Sequence, residues 1–400
     1  MAVGIYISVP FCRTKCSFCN FASDVFSKSA HENYVGRVIE DVRHSRPLAK
    51  ELGCDLEATA DSIYLGGGTP SILDGPQLLR IFAAVHEAFT VTPDAEITVE
   101  CAPGTITPAL TETLVQCGVN RVSLGVQSFV DQEAQAVGRL HNRAVVLEEI
   151  ARLRQAGLDN ISLDLIAGLP HQTPESWAFS VSETIATGVP HASIYMLEVD
   201  NESRLGRELI AGGARYHAHF VPDEDATADF YQQACEMLES SGIEQYEISN
   251  FAGSQGKRSI HNLKYWTRQP YIGFGVDAHS MLEKAAGQAE AVRFATADSL
   301  DAYMNRTPPT VTPVSQQAAI EESFFLGLRL NGGVDQAEKR GDVLHECAID
   351  QCIEDELLER EGTTIRLTPR GRLLSNEVFA RFLGDEAEET KVGTGNVNPR

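Results

Sequence analysis

Basic residues are scarce in this chain. Its 400 residues carry 33 Lys and Arg against 56 Asp and Glu, a formal net charge of −23. A field of that sign repels nucleic acid and anionic membrane surfaces. No apolar stretch reaches the 18 residues that a bilayer-spanning helix needs, and Met1 to Pro10 lacks the basic flank of a secretory leader. Nine cysteines are an odd number in a long chain, which argues against a disulfide framework. There is no internal repeat and no low-complexity tract. These absences predict a cytoplasmic, reduced protein with no nucleic-acid partner and no integral membrane segment. The 43% hydrophobic content is enough for a large core and about two domains.

The chemistry is concentrated near the start. Cys12, Cys16 and Cys19 stand at C-x3-C-x2-C spacing on a loop directly after an apolar, β-type run from Ile5 to Val9. A loop this tight can place three thiolates on three corners of a cubane cluster and leave the fourth iron open. Zinc sites favour paired C-x2-C units, and buried thiols are common. The spacing favours iron–sulfur over these two alternatives without removing them. Cys54, Cys101, Cys117, Cys235, Cys347 and Cys352 have no ligand-like spacing and read as reduced, mostly buried thiols.

Six short strands alternate with helices up to Leu197. The strands are Gly4 to Val9, Asp61 to Leu65, Glu96 to Glu100, Arg121 to Gln127, Asn160 to Ile166 and Ala192 to Leu197. Helices ending at Gly118 and Gly157 have ordinary C-terminal stops. Such alternation implies βαβ units with parallel strands. Polar or glycine-rich residues recur just past the strand ends: the Cys loop, Gly66 to Thr69, Glu100, Gln127 and Asp164. Barrels of this class assemble their sites at that face. The predicted fold is α/β, a partial (β/α)6 TIM-like barrel over residues 1–200. An irregular extension follows over 201–312, with Thr307 to Pro313 as a linker. A small α-rich, winged-helix-like domain occupies 313–383, and 384–400 reads as a disordered acidic tail.

Several of these words resemble a known family. Tyr6-x-x-x-Pro10-Phe11-Cys12-x-x-x-Cys16-x-Phe18-Cys19 resembles the radical S-adenosylmethionine (SAM) superfamily, in the branch of oxygen-independent coproporphyrinogen oxidase and its relatives. Matching words continue through Leu-Gly-Val-Gln127-Ser-Phe, Arg139 twelve residues later, and Ser-Leu-Asp164-Leu-Ile-Ala-Gly-Leu-Pro. The resemblance implies a [4Fe–4S] cluster on Cys12, Cys16 and Cys19, with SAM chelating the open iron. A reduced cluster would then split the sulfonium to a 5′-deoxyadenosyl radical. It also assigns SAM contacts to Tyr6, Phe18, Gly67, Gly68, Thr69, Glu100, Gln127, Arg139 and Asp164. Carboxylates and an amide suit the amino acid and ribose of that nucleotide. The glycine run is no phosphate loop, because no Gly-Lys-Ser/Thr follows it.

Two departures separate this chain from the oxidases. Phe21 stands where they carry a further Cys, and the longer segment before their Cys loop has no counterpart here. In addition, His261-Asn262-x-x-Tyr265-Trp266 is a signature of the heme-chaperone (HemW-type) relatives. A lone His beside aromatics is more often a packed residue than a ligand. A neutral imidazole can nevertheless ligate heme iron, and Tyr and Trp offer flat apolar surface. The resemblance thus implies heme binding with His261 as iron ligand and Tyr265 and Trp266 beside it. Arg258, Lys264 or Arg268 would pair with the propionates. Heme delivery to apo-hemoproteins is the expected function, ahead of porphyrinogen oxidation or methyl transfer. His217-Ala-His219 has no third ligand near it in sequence, and His141, His171 and His279 join no constellation. Oligomeric state is left open, a dimer being one option.

Overall fold

The computed structural model describes residues 1–284, 290–337 and 343–383, so the tail expectation for 384–400 lies outside the described residues. One mixed sheet of twelve strands organises the molecule. Its strands are β1 (Val3–Val9), β2 (Thr59–Gly67), β3 (Thr90–Cys101), β4 (Arg121–Gln127), β5 (Ile161–Ala167), β6 (His191–Met196), β7 (Glu244–Gln245), β8 (Asn250–Ala252), β9 (Tyr271–Gly275), β10 (His279–Glu283), β11 (Ala291–Ala295) and β12 (Thr310–Val314). They lie in the order β12-β11-β10-β9-β1-β2-β3-β4-β5-β6-β8-β7, with different strands at the two edges, so the barrel is incomplete. The six expected strands run parallel to one another.

A seventh parallel strand was hidden in the glycine-rich run. Tyr271-Ile-Gly-Phe-Gly275 is β9 and pairs with β1 from Gly4↔Tyr271 to Ser8↔Gly275. The stretch 201–312 thus adds β7 to β12 to the barrel sheet itself. Part of the linker candidate is the exposed edge strand β12. Pro313 is tolerated there because an edge strand has one side free of ladder bonds.

Period-two alternation divides the barrel strands into two faces. Val3, Ile5, Ile7 and Val9 of β1, Ile63 and Leu65 of β2, and Val122 and Leu124 of β4 pack outward in the main apolar core. The helices that cover them start as the sequence dictates. Asp74 caps Gly75–Ala88 with a reciprocal Gln77 box, and Thr173 does the same for Pro174–Ala186 with Ser176. Gly118 and Gly157 end two others at φ 76° and 83°, a conformation costly for side-chain-bearing residues. The opposite face of the strands carries Gly4, Tyr6, Ser62, Tyr64, Glu96, Glu100, Ser123 and Asp164, so the lumen is polar.

Past β12 the chain forms the helices Gln316–Gly327 and Val343–Glu354 and a three-stranded sheet of β13 (Val334–Asp335), β14 (Leu358–Glu361) and β15 (Thr364–Leu367). This module has its own core around Phe324, Ile349, Cys352, Ile365 and Phe382. It is clamped to the barrel extension by buried Glu322, which pairs with Arg268 at 2.7 Å and Arg293 at 3.2 Å.

Candidate cofactor site at the rim of the barrel

The Cys loop leaves β1 and returns to it. The Cys12 amide donates to the Asp24 carbonyl at 2.9 Å and the Asp24 amide to the Pro10 carbonyl at 3.0 Å, which closes the loop at its base. Buried Phe11 wedges beneath, stacked on His31 at 4.0 Å and edge-on to Tyr34 at 5.1 Å. Cys12, Cys16 and Cys19 are all free thiols. Burial is the main force raising the Cys12 and Cys19 thiols, and each sulfur also feels Cys16. The three are therefore mutual neighbours, and Cys12 and Cys19 resist ionisation unless a cation joins them. Thr69 Oγ donates to the Cys12 sulfur at 3.7 Å, ready to support a thiolate. Among the described residues no three His, Cys, Asp or Glu side chains are arranged to hold one ion. A cubane asks for something different, since each thiolate binds its own iron.

The glycine run performs a task the sequence did not disclose. The Gly68 amide donates to the Val9 carbonyl and the Thr69 amide to the Phe11 carbonyl, both at 2.7 Å. A Cβ on Gly68 would sit 2.7 Å from the Phe11 oxygen and 2.8 Å from the Val9 oxygen. Gly68 therefore permits β2 to bind the root of the Cys loop, an approach closed to any side chain.

Deeper in the rim stand two carboxylates. Glu100 accepts from the Tyr64 hydroxyl at 2.7 Å. Burial, with help from Asp164, pushes Glu100 up to about 8. Asp164 accepts from the Ser123 hydroxyl at 3.0 and 2.9 Å and is also raised, chiefly by burial. Two raised carboxyls in one lumen lack a full cationic counterpart, and a ligand bearing an ammonium and a sulfonium would supply it. Arg139, whose charge Cys12 feels, donates through Nη2 to the Gly125 carbonyl at 2.5 Å while its buried Nε has no partner. Gln127 ends β4 at φ 67°, a left-handed conformation uncommon for a non-glycine residue, at a break in register with β5. Tyr6 lies between the rim and the floor, 6.1 Å from Tyr64. Phe18 packs with Val137, Ile166, Leu169 and Leu197. The structure thus gathers the expected SAM residues at one end of the barrel, and their donor set suits a cationic nucleotide.

His261 lies at the other end. The helix Ile260–Trp266 plugs the barrel floor, where the Ile260 and His261 amides both donate to Glu96 at 3.1 Å. His261 is 1% exposed. Its Nδ1 bonds the Ser62 hydroxyl at 3.0 Å and its Nε2 the Tyr265 hydroxyl at 2.9 Å. Burial lowers its pKa to about 3, so the ring is neutral. A Cβ on Gly4 would lie 2.8 Å from Lys264 and 3.3 Å from His261, so β1 admits this helix through a missing side chain. Trp266 is covered by the Arg329 guanidinium 4.1 Å from its ring. Two of the three propionate candidates are committed elsewhere. Lys264 pairs with Asp61 at 2.8 Å and Arg268 with Glu322. The guanidinium of Arg258 lies 5.3 Å over Tyr246.

Sequence reasoning missed Tyr64, Ser123, Ser162 and Ser193, which face the lumen with the carboxylates. Ser162 bonds His191 at 2.8 Å, and Ser193 donates to Asn250 at 2.8 Å. The signal was present: polar residues at every second position of strands whose other positions are Val, Ile or Leu.

Comparison with known proteins places these observations in company. The radical SAM superfamily matches residues 6–181, and the HemN C-terminal domain matches 314–374. Heme chaperone HemW of Bacillus subtilis is 32% identical over 393 residues, covering 95% of this chain and 99% of its own. The HemW of Lactococcus lactis is 31% identical over 391 residues, covering 95% and 97%. The coproporphyrinogen III oxidase HemN of Escherichia coli, a radical SAM enzyme, superposes with a TM-score of 0.79. It is 22% identical over 95% of this chain and 90% of that one, a likeness of fold.

Proposed function

The chain belongs to the HemW family within the radical SAM superfamily, and from that premise we propose that it binds heme and passes it to apo-hemoproteins. The observation that carries this reading is similarity to heme chaperones along nearly the whole chain, C-terminal module included. Phe21 in the Cys loop supports it against the porphyrinogen-oxidase alternative.

Family membership implies a [4Fe–4S] cluster and SAM. Cys12, Cys16 and Cys19 would hold the cluster. Glu100, Gln127, Arg139 and Asp164 would orient the nucleotide with Tyr6, Phe18, Gly67, Gly68 and Thr69. Bound together, cluster and nucleotide supply a redox centre with a chelated iron. The protein's own part is to fix the loop through Gly68, neutralise the ligand's positive charge on buried carboxylates and exclude water. Among the described residues no helix is long and apolar enough to cross a membrane.

For heme, the His261, Tyr265 and Trp266 set acts only after the plug helix has moved. Iron ligation needs an imidazole lone pair, and both nitrogens of His261 are engaged in the closed floor. Opening would release Ser62, Tyr265 and the Glu96 bonds together. Titration of the anaerobic, full-length protein with hemin is the test. A heme carrier takes up hemin stoichiometrically with a shifted Soret band and surrenders it to an apo-hemoprotein. No uptake, or conversion of coproporphyrinogen with SAM and a reductant in its place, refutes the reading. Hydrogen exchange should rise across 260–266 on heme loading if His261 becomes the ligand.

A further inference from the structure

Three of the five histidines left without a role in the sequence, His171, His217 and His219, meet on the rim. His171 follows β5 by four residues, at the same end of the barrel as the Cys loop. Its amide donates to the Phe220 carbonyl at 2.9 Å, which ties it to the segment Arg215–Phe220. There His171 Nε2 lies 3.1 Å from His217 Nδ1. The Phe220 ring sits 4.1 Å from the ring of His171 and 4.0 Å from that of His219.

This patch is exposed where His261 is closed. Phe220 is 47% and Tyr216 38% exposed, and His217 lies open to solvent. His171, Tyr216 and His217 all hold left-handed backbone, at φ 73°, 55° and 61°. Three such residues around one exposed patch are a concentration of strain, a feature found at ligand sites. The patch is also braced against the Cys loop. The Leu205 amide donates to the Ser17 carbonyl at 2.7 Å, Arg204 donates to the Lys15 carbonyl, and the Arg204 guanidinium covers Tyr216 at 5.5 Å.

We propose that His217 ligates the iron of an incoming heme through Nε2, with His171 as its orienting partner and Phe220 as the apolar wall against the porphyrin. In this arrangement His217 Nδ1–H donates to His171 Nε2. That is the support a ligating imidazole ordinarily receives from a neighbour, and it fixes the tautomer that leaves Nε2 bare. Burial, reinforced by His217 and His219, lowers the His171 pKa and keeps its Nε2 available as the acceptor. Phe220 also borders an open cleft of about 610 Å³ lined by Thr173, Phe230, Gln233, Asp229 and Glu236. Exposed Arg215 supplies a charge for a propionate. A bare metal ion fits less well, because no three-ligand group is arranged here among the described residues. The proposal rests on the heme-carrying reading above. It adds a loading site that is open while the floor is shut.

Half an equivalent of hemin, added to the anaerobic full-length protein, tests this by absorption and electron paramagnetic resonance. Asparagine is the replacement of choice because it tolerates left-handed backbone. Wild type should show an imidazole-ligated ferric spectrum, His217→Asn should lose it, and His171→Asn should keep the ligand but bind about tenfold more weakly with an altered spin state. His261→Asn should retain the first-equivalent spectrum. An unchanged spectrum in His217→Asn, or its loss in His261→Asn, overturns this site and leaves the heme reading standing. Failure of wild type to bind hemin overturns both.

Discussion

The two ends of the barrel hold the same kinds of residue in opposite states. At the floor the His261 helix is tied down through Ser62, Tyr265, Glu96 and Asp61, and the Trp266 indole N–H is its one buried side-chain group without a hydrogen-bond partner among the described residues. At the rim, three clustered thiols, of which Cys16 is buried, and two raised carboxyls have no cation paired with them, and the buried Arg139 Nε has no acceptor. A satisfied polar cluster specifies a structure, whereas an unsatisfied one signals a missing ligand. On the reading proposed above, the resident cofactors bind at the rim and any function of the floor follows an opening step.

The contrast can be broken most severely at the thiolates. Cys16→Ser should leave the anaerobically reconstituted protein almost without iron and sulfide and should barely change its melting temperature. A full complement of iron in that variant would remove the three-thiolate assignment. Gly68→Ala comes next, since its Cβ meets two carbonyl oxygens. It should cost about 1–3 kcal/mol in denaturant unfolding and reduce cluster content, because the loop root moves. His261→Ala should cost about 2–3 kcal/mol by leaving Ser62 and Tyr265 unpaired beside a cavity, with iron and sulfide unchanged. If it instead emptied the cluster site, the two ends would not be separable.

The smallest effect sharpens the rim alone. Glu100 is held as a neutral carboxyl up to about 8, against an ordinary value of 4.5. Its contribution to stability is therefore full below pH 4.5 and is lost as pH rises through 8. A cationic ligand draws out that proton, so SAM affinity should climb with pH, by up to tenfold per unit below pH 8. Isothermal titration should show this slope in wild type and a flat profile in Glu100→Gln.

The barrel was legible because its strands combine β-branched outer faces with polar or glycine ends, and its helices carry caps at Asp74, Thr107, Asn142 and Thr173. β9 was missed because two glycines mask a strand that is specified by its neighbour β1 rather than by its own propensity. The Cys loop and rim carboxylates could be read from spacing and resemblance. The bonds that tie Gly68 to Val9 and the meeting of His171 with His217 join residues through the fold. No local pattern reports such contacts. His217-Ala-His219 had its nearest imidazole partner 46 residues upstream.

The pairing of β1 with β9 also sets a timetable. During synthesis the first strand gains one neighbour early, yet its other edge stays bare until Gly275 has left the ribosome. So distant a partner makes closure a late folding event. For most of translation, then, the nascent Cys loop hangs from a strand with an open flank.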